Sequence, residues 1–234
     1  MANTQHTFEI QEILKSTINY NRWIFDQCKD DVGRRVFDIG SGYGNVISLF
    51  IDESRVIQAL DVEDKYVRHL NDLYAGAGFS AVCGDFQAMS IQDLREKGFD
   101  TVTLFNVLEH FENDIDVLQR AHDILTDKGK LIVVVPALPI LFGSMDRADG
   151  HYRRYTKKAL RQKLNDAGFE IVTLRYMNLP GFFGWFLNGR ILKKPLIPAK
   201  QAKAYDRIVP VVCAFERIIS PPFGQSLVVI GTKK

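Results

Sequence analysis

The sequence predicts an α/β fold, a doubly wound and mostly parallel sheet with helices on both faces. Three observations carry that expectation. Short apolar runs rich in β-formers alternate with stretches of helical periodicity over residues 34–178. The most apolar run, "KLIVVVP", lacks polar alternation, so it reads as a central strand buried on both faces. A glycine-rich turn directly follows the first strand, where sheets of this kind bind ligands.

Taken in order, "FEIQEILKSTINYNRWIFDQC" predicts one or two helices before the sheet begins. "RVFDI" is the first strand, ending at Gly40, and "GNVISLFIDE" follows with Val46, Ile47, Phe50 and Ile51 at helical spacing. "RVIQALD" is the second strand. "EDKYVRHLNDLY" then places Tyr66, Val67, Leu70 and Leu73 on one helical face, and "GFSAVCGD" is the third strand. A polar helix around "MSIQDLREKG" leads to the fourth strand, "FDTVTLFN". The next helix, "DIDVLQRAHDILTDKG", has its stop signal in Lys128 and Gly129. After "KLIVVVP", Thr156 is the N-cap of a helix that ends at Gly168. "EIVTLRYMN" and "SLVVIGTK" are the last strands, and the long section between them, residues 179–225, reads as irregular. The partition is a single domain over residues 1–234: an N-terminal helical segment (1–33), a ligand-binding core (34–178), a cap insertion (179–224) and the last strand (225–234).

A chain of 234 residues with 46% hydrophobic and 25% charged residues can bury a sizeable core without staples. Three scattered cysteines, Cys28, Cys83 and Cys213, argue against a disulfide framework and against a metal cage, so no metal is expected. The N-terminus lacks an apolar signal core and no apolar stretch is long enough to span a bilayer, which makes a cytoplasmic protein the expectation. The net charge of +2 hides an asymmetry. Residues 1–146 carry 13 Lys and Arg against 23 Asp and Glu, while residues 147–234 carry 17 against 5. The basic part attracts an anionic partner, or the two parts pack on one another.

The turn reads D-x-G-x-G-x-G from Asp38, with Gly40, Gly42 and Gly44 on alternate positions. A dinucleotide fingerprint, G-x-G-x-x-G, would need its third glycine at position 45, which is Asn45. A triphosphate-binding G-x-x-x-x-G-K-[ST] is also absent. Asp61 ends the second strand about 20 residues on, where a carboxylate accepts from both hydroxyls of a ribose. Asp85 follows Gly84 after the third strand, in reach of an adenine amine. The ligand is therefore expected to be a nucleoside with a cationic or zwitterionic tail.

Together, "VFDIGSGYGNV", "ALDVE", "CGDF", "FDTVTLFNVLEHFEND" and "LTDKGKLIVVVP" resemble the ordered motifs of class I S-adenosylmethionine-dependent methyltransferases. The resemblance covers roughly residues 34–175 and the final strand. It implies a seven-stranded Rossmann-like sheet of order 3-2-1-4-5-7-6, with the last strand inserted antiparallel. It also implies S-adenosylmethionine as cofactor and S-adenosylhomocysteine as product. Asp38, Gly40, Gly42, Gly44 and Asn45 would hold the methionine portion, Asp61 and Val62 the ribose, and Gly84, Asp85 and Phe86 the adenine. Asn106 and Val107 would line the methionine side, with Tyr20 closing over the cofactor.

The donor sulfonium is already activated, so the enzyme must chiefly hold a nucleophile in line with it; orientation supplies up to about 7–11 kcal/mol. A base is needed only where the acceptor must lose a proton. His110 in "LEHFEND" is one candidate. The segment "GSMDRADGHYRRYT" supplies two more, His151 and Tyr152, and the substrate candidates Arg153, Arg154 and Tyr155. Its arginines are alternatively spent on Asp146 and Asp149. Beyond it, Phe182, Phe183, Trp185 and Phe186 form an aromatic cluster followed by Lys193, Lys194, Lys200 and Lys203. Phe183 and Trp185 are substrate candidates there; the cluster suits a hydrophobic lid, an amphiphilic anionic acceptor or peripheral membrane contact. The run from "GHYRRYT" to "FERIISPPFGQSL" resembles a bacterial small-molecule group similar to ubiquinone-biosynthesis methyltransferases. A small-molecule acceptor methylated at O, N or C is the expectation, in a monomer or homodimer without nucleic acid. Methylation of RNA or protein, and cofactor binding without turnover, are the alternatives.

Overall fold

Seven strands form one sheet in a computed structural model that describes residues 4–76 and 78–234. They are β1 (Arg35–Ile39), β2 (Val56–Asp61), β3 (Phe79–Cys83), β4 (Phe99–Phe105), β5 (Leu125–Pro136), β6 (Phe169–Met177) and β7 (Ser226–Lys233). The order is β3-β2-β1-β4-β5-β7-β6, as the resemblance implies, and β7 runs antiparallel to both β5 and β6. Residues alternate between the faces of the sheet. Phe37, Ile39, Leu131, Val133 and Val135 pack on one face, beneath α4 (Ile91–Glu96), α5 (Asp114–Ile124) and α7 (Lys157–Asp166). Val36, Ile132 and Val134 pack on the other, against α2 (Ile18–Cys28), α3 (Asp64–Tyr74) and α9 (Ala199–Ile218). The remaining helices are α1 (Thr4–Lys15), α6 (Ser144–Ala148) and α8 (Leu179–Trp185). Among the described residues, no helix is long and apolar enough to cross a membrane.

Four local expectations are corrected. The stretch after β1 forms only a 3-10 turn, Ile47–Phe50. Val46, Ile47 and Phe50 are still buried, but Asp52 accepts from the amide and hydroxyl of Ser54 and turns the chain. On α3, Leu73 faces solvent, and Tyr74 packs edge-on against Phe79 instead. The helix before β5 ends at Ile124, because Leu125 already pairs with Phe99. Lys128 then adopts φ +60 inside β5, at the register shift that separates the Phe99–Leu125 pair from the Thr101–Lys130 pair. Finally, residues 179–225 are largely helical: α8, a π-helical turn (Phe186–Ile191) and the 20-residue α9. The Thr156 cap forms as expected, accepting from the Ala159 amide at 3.1 Å.

Pro210 lies inside α9, where it cannot donate to the carbonyl one turn earlier, that of Asp206. Asn19 fills the gap, its Nδ2 donating to that carbonyl at 3.0 Å. The Asp206 carboxylate returns the contact by accepting from the Asn19 and Tyr20 amides at 3.2 and 2.9 Å. Those amides open α2, whose own N-cap residue, Thr17, makes no capping bond. A buried acid on α9 thus caps α2 and fixes the start of the helix that carries Tyr20. Asp206→Ala is expected to cost about 1–3 kcal/mol, a fall in Tm of about 2–4 °C per kcal/mol for a chain this size. A thermal melt that moves by less than about 1 °C would contradict the clamp.

Candidate active site

The C-terminal ends of β1, β2 and β3 are stitched together by backbone and carboxylate bonds. The Gly40 and Ser41 amides donate to the Leu60 carbonyl at 2.8 and 3.0 Å, and the Gly84 amide donates to the Asp61 carbonyl at 3.0 Å. Asp61 Oδ2 accepts from the Gly42 amide at 2.7 Å, and Oδ1 from the Glu63 amide at 3.0 Å. Gly40 has φ +70, and a Cβ there would come within 2.6 Å of both Val107 methyls. Gly44 has φ +73 and abuts Leu70 of α3. Two of the glycines therefore serve different neighbours, one the ligand side and one the core.

These ends open into a cavity of about 520 Å³. Of the predicted cofactor residues it is lined by Tyr20, Asp38, Gly40, Gly42, Asn45, Asp61, Val62, Gly84, Asp85, Phe86, Asn106 and Val107, with His110 beside them. Gly44 is set back from it. Asp38 is buried with Oδ1 accepting from Thr103 at 2.6 Å, and burial pushes its carboxyl up to about 7. Burial also raises the Asp61 carboxyl, against the pull of the Glu63 and Gly42 amides.

A second cavity of about 470 Å³ adjoins the first, and Leu14, Tyr20, Asn106 and Asp149 line both. Its walls are largely apolar and come from α1, α8, α9 and the loop between the last two. Glu109, His151 and Arg154 supply its polar end. The hub behind them is the fully buried Asp146. It accepts from Arg154 Nε at 2.6 Å, the Gly143 amide at 2.8 Å and Trp185 Nε1 at 3.3 Å, and pairs with His151 Nδ1 at 3.2 Å. Burial would raise the Asp146 carboxyl, but His151 and Arg154 outweigh it and hold it at about 2. Burial would likewise lower the His151 pKa, but Asp146, Asp149 and Glu109 push it up to about 9. His110 stands edge-on to His151 with ring centroids 4.7 Å apart; burial and the His151 charge lower it to about 4. Two buried groups here have unused hydrogen-bonding capacity: both oxygens of Glu109, and Nη2 of Arg154. Burial pushes the Glu109 carboxyl up to about 7.

Four of the candidates lie outside both cavities. Tyr152 is exposed. Arg153 is spent on Asp114 at 3.0 Å and on the Glu112 carbonyl. Tyr155 is buried in the core and donates to Asp114 at 2.8 Å. Phe183 is exposed beside Phe182 and Phe223. Trp185 does line the second cavity, with the Arg154 guanidinium 4.7 Å over its ring. Glu109 stands beside His110, and Asp146 and Asp149 stand in the segment of His151, but the sequence gives these acids no site role of their own and carries no signal for the α1 and α9 walls. A mid-segment acid surrounded by His and Arg is the signal that pointed to Asp146, and it was read there only as an ion-pair partner.

Asp61→Asn keeps an acceptor for the Gly42 amide but removes the charge and one strong acceptor. We expect it to weaken S-adenosylhomocysteine binding by about 10-fold, the loss of one charge-assisted hydrogen bond. Calorimetry showing unchanged affinity would contradict the assignment of Asp61 to the cofactor sugar.

Comparison with known proteins agrees with this geometry. Residues 10–174 match the methyltransferase domain family. A ubiquinone biosynthesis O-methyltransferase of Xanthomonas euvesicatoria pv. vesicatoria (strain 85-10) is 26% identical over 157 residues, which is 59% of this chain. The match spans 64% of that relative's length. Among solved structures, an S-adenosylmethionine-dependent methyltransferase of Mesorhizobium loti superposes with a TM-score of 0.59 at 16% identity, over 86% of this chain and 92% of that one. One of Archaeoglobus fulgidus gives 0.56 at 18% identity, over 95% and 94%. The [4+2]-cyclase SpnF gives 0.57 at 14% identity, over 92% and 81%, so the fold alone does not name a reaction. With the glycine turn, the strand-end acids and the family match in agreement, the chain belongs to the methyltransferase domain family, enzymes whose cofactor is S-adenosylmethionine.

Proposed function

We propose that this chain transfers the methyl group of S-adenosylmethionine, held in the first cavity, to an oxygen of a small, largely apolar acceptor held in the second. The observation that carries the reading is the contact between the cavities. Tyr20, Asn106 and Asp149 line both, so the sulfonium end of a nucleoside anchored at Asp61 faces the polar end of the apolar chamber. An acceptor oxygen there attacks the methyl carbon in line, the carbon–sulfur bond breaks, and its electron pair stays on sulfur. The hydroxyl proton passes to solvent water as the oxygen–carbon bond forms, and the site's task is orientation.

The second cavity has the size of a small-molecule site, which favours a metabolite over a macromolecule. Its unpaired Arg154 Nη2 calls for an acceptor atom, and the Glu109 carboxylate calls for a donor or a cation. A hydroxylated head on an apolar body satisfies both. The name of the Xanthomonas relative, an O-methyltransferase, supports oxygen as the acceptor atom. His110 and His151 stand at the junction as the residues that orient the head, with Trp185 against the body.

The test is calorimetry with S-adenosylhomocysteine, followed by transfer of labelled methyl to a panel of hydroxylated amphiphiles. Trp185→Ala is expected to raise the acceptor KM by about 10-fold or more, the loss of an aromatic wall, with cofactor affinity unchanged. Failure to bind S-adenosylhomocysteine at all would overturn the reading.

A further inference from the structure

We propose that Glu109, His110 and His151 form a binding site for one divalent transition-metal ion at the wall between the two cavities. Each residue offers one ligand atom, and these atoms lie within 4.8 Å of one another. Zinc-like ions bind imidazole nitrogen and carboxylate oxygen at about 2.0–2.2 Å, so tetrahedral neighbours stand about 3.4 Å apart. Closing from the observed spacing asks each side chain to move by less than about 1 Å.

Three features beyond proximity point to a cation. Glu109 is fully buried, and neither oxygen has a hydrogen-bond partner, a costly state for a carboxylate unless something else satisfies it. His151 Nδ1 is already oriented by Asp146 at 3.2 Å, the arrangement in which a carboxylate fixes the tautomer and leaves Nε2 for a metal. That Nε2 points toward the acids, 3.1 Å from Asp149 Oδ2 and 4.0 Å from Glu109 Oε1. Glu109 and Asp149 bring two negative charges to two imidazoles, and Asp146 is committed to Arg154. A dication in place of the imidazole proton balances the two carboxylates.

The donor set selects the ion class. Two imidazoles and a carboxylate suit zinc, cobalt or manganese, whereas magnesium and calcium prefer all-oxygen shells. The scattered cysteines excluded only a thiolate cage. If the acceptor reading above holds, on which this use of the ion rests, the metal would hold the acceptor oxygen beside the donor methyl.

Cobalt(II) and zinc(II) titrated into chelator-stripped protein provide the test, read by visible absorption and calorimetry. One cobalt per chain should bind, zinc should displace it, and magnesium should not. Glu109→Gln and His110→Asn should each lower cobalt affinity at least about 10-fold, by loss of one ligand. Their circular dichroism and thermal melts report whether they fold. Cobalt uptake that is equal in folded variants and parent, or absent from parent protein that binds S-adenosylhomocysteine, would overturn the metal site. Cobalt bound with the expected variant losses but no S-adenosylhomocysteine binding would support the metal site and overturn the cofactor reading alone.

Discussion

The bond from the Gly42 amide to the Asp61 carboxylate holds the strand-end side of the site together. It joins the turn after the first strand to the tip of the second. It exists because parallel register places Ile39 opposite Leu60, so that both strands end at the same level. The amides of Gly40 and Ser41 then fall on the Leu60 carbonyl, and Gly84 on the Asp61 carbonyl. Three loops become one surface. A side chain at position 40 would close that surface against Val107, which is why that position is bare.

The second cavity depends on a different device. Asp146 is buried and gathers His151, Arg154, Trp185 and the Gly143 amide around one carboxylate. Breaking such a cluster at one member leaves the others uncompensated in low dielectric, so it behaves as a unit. It also ties an aromatic wall from α8 to the loop after β5. The clamp between Asn19 and Asp206 does the equivalent work on the opposite wall, where Tyr20 is placed by an acid that answers an internal proline. Part of the charge asymmetry is internal. Asp114 of the acidic half takes Arg153 and Lys163 of the basic half, and Asp26 takes Arg217.

Sheet order and the residues that line the first cavity were legible in the sequence because both rest on local signals: apolar runs, strand-end acids and a glycine turn whose spacing is set by backbone approach. The second cavity was not, because it is built from residues far apart in the chain. Glu109 reads as one acid among many until burial strips its partners away. Arg153 and Arg154 are neighbours with the same chemistry, yet one turns to Asp114 near the surface and the other into the chamber. Tyr155 reads as a substrate candidate and is a core residue, tied to the sheet by its bridge to Ala137 and to Asp114 by its hydroxyl. The cap was read as irregular because Pro180, Gly181, Gly184 and Pro210 are breakers by composition. In place, Asn178 caps α8 and Asn19 repairs the bond lost at Pro210.

The most direct measurement is a crystal structure with S-adenosylhomocysteine bound. The account places the ribose hydroxyls on the Asp61 carboxylate, the adenine against Asp85 and Phe86, and the sulfur facing Asn106 at the junction of the cavities. A nucleoside lodged in the apolar chamber, or an Asp61 carboxylate that touches no ligand atom, would contradict it.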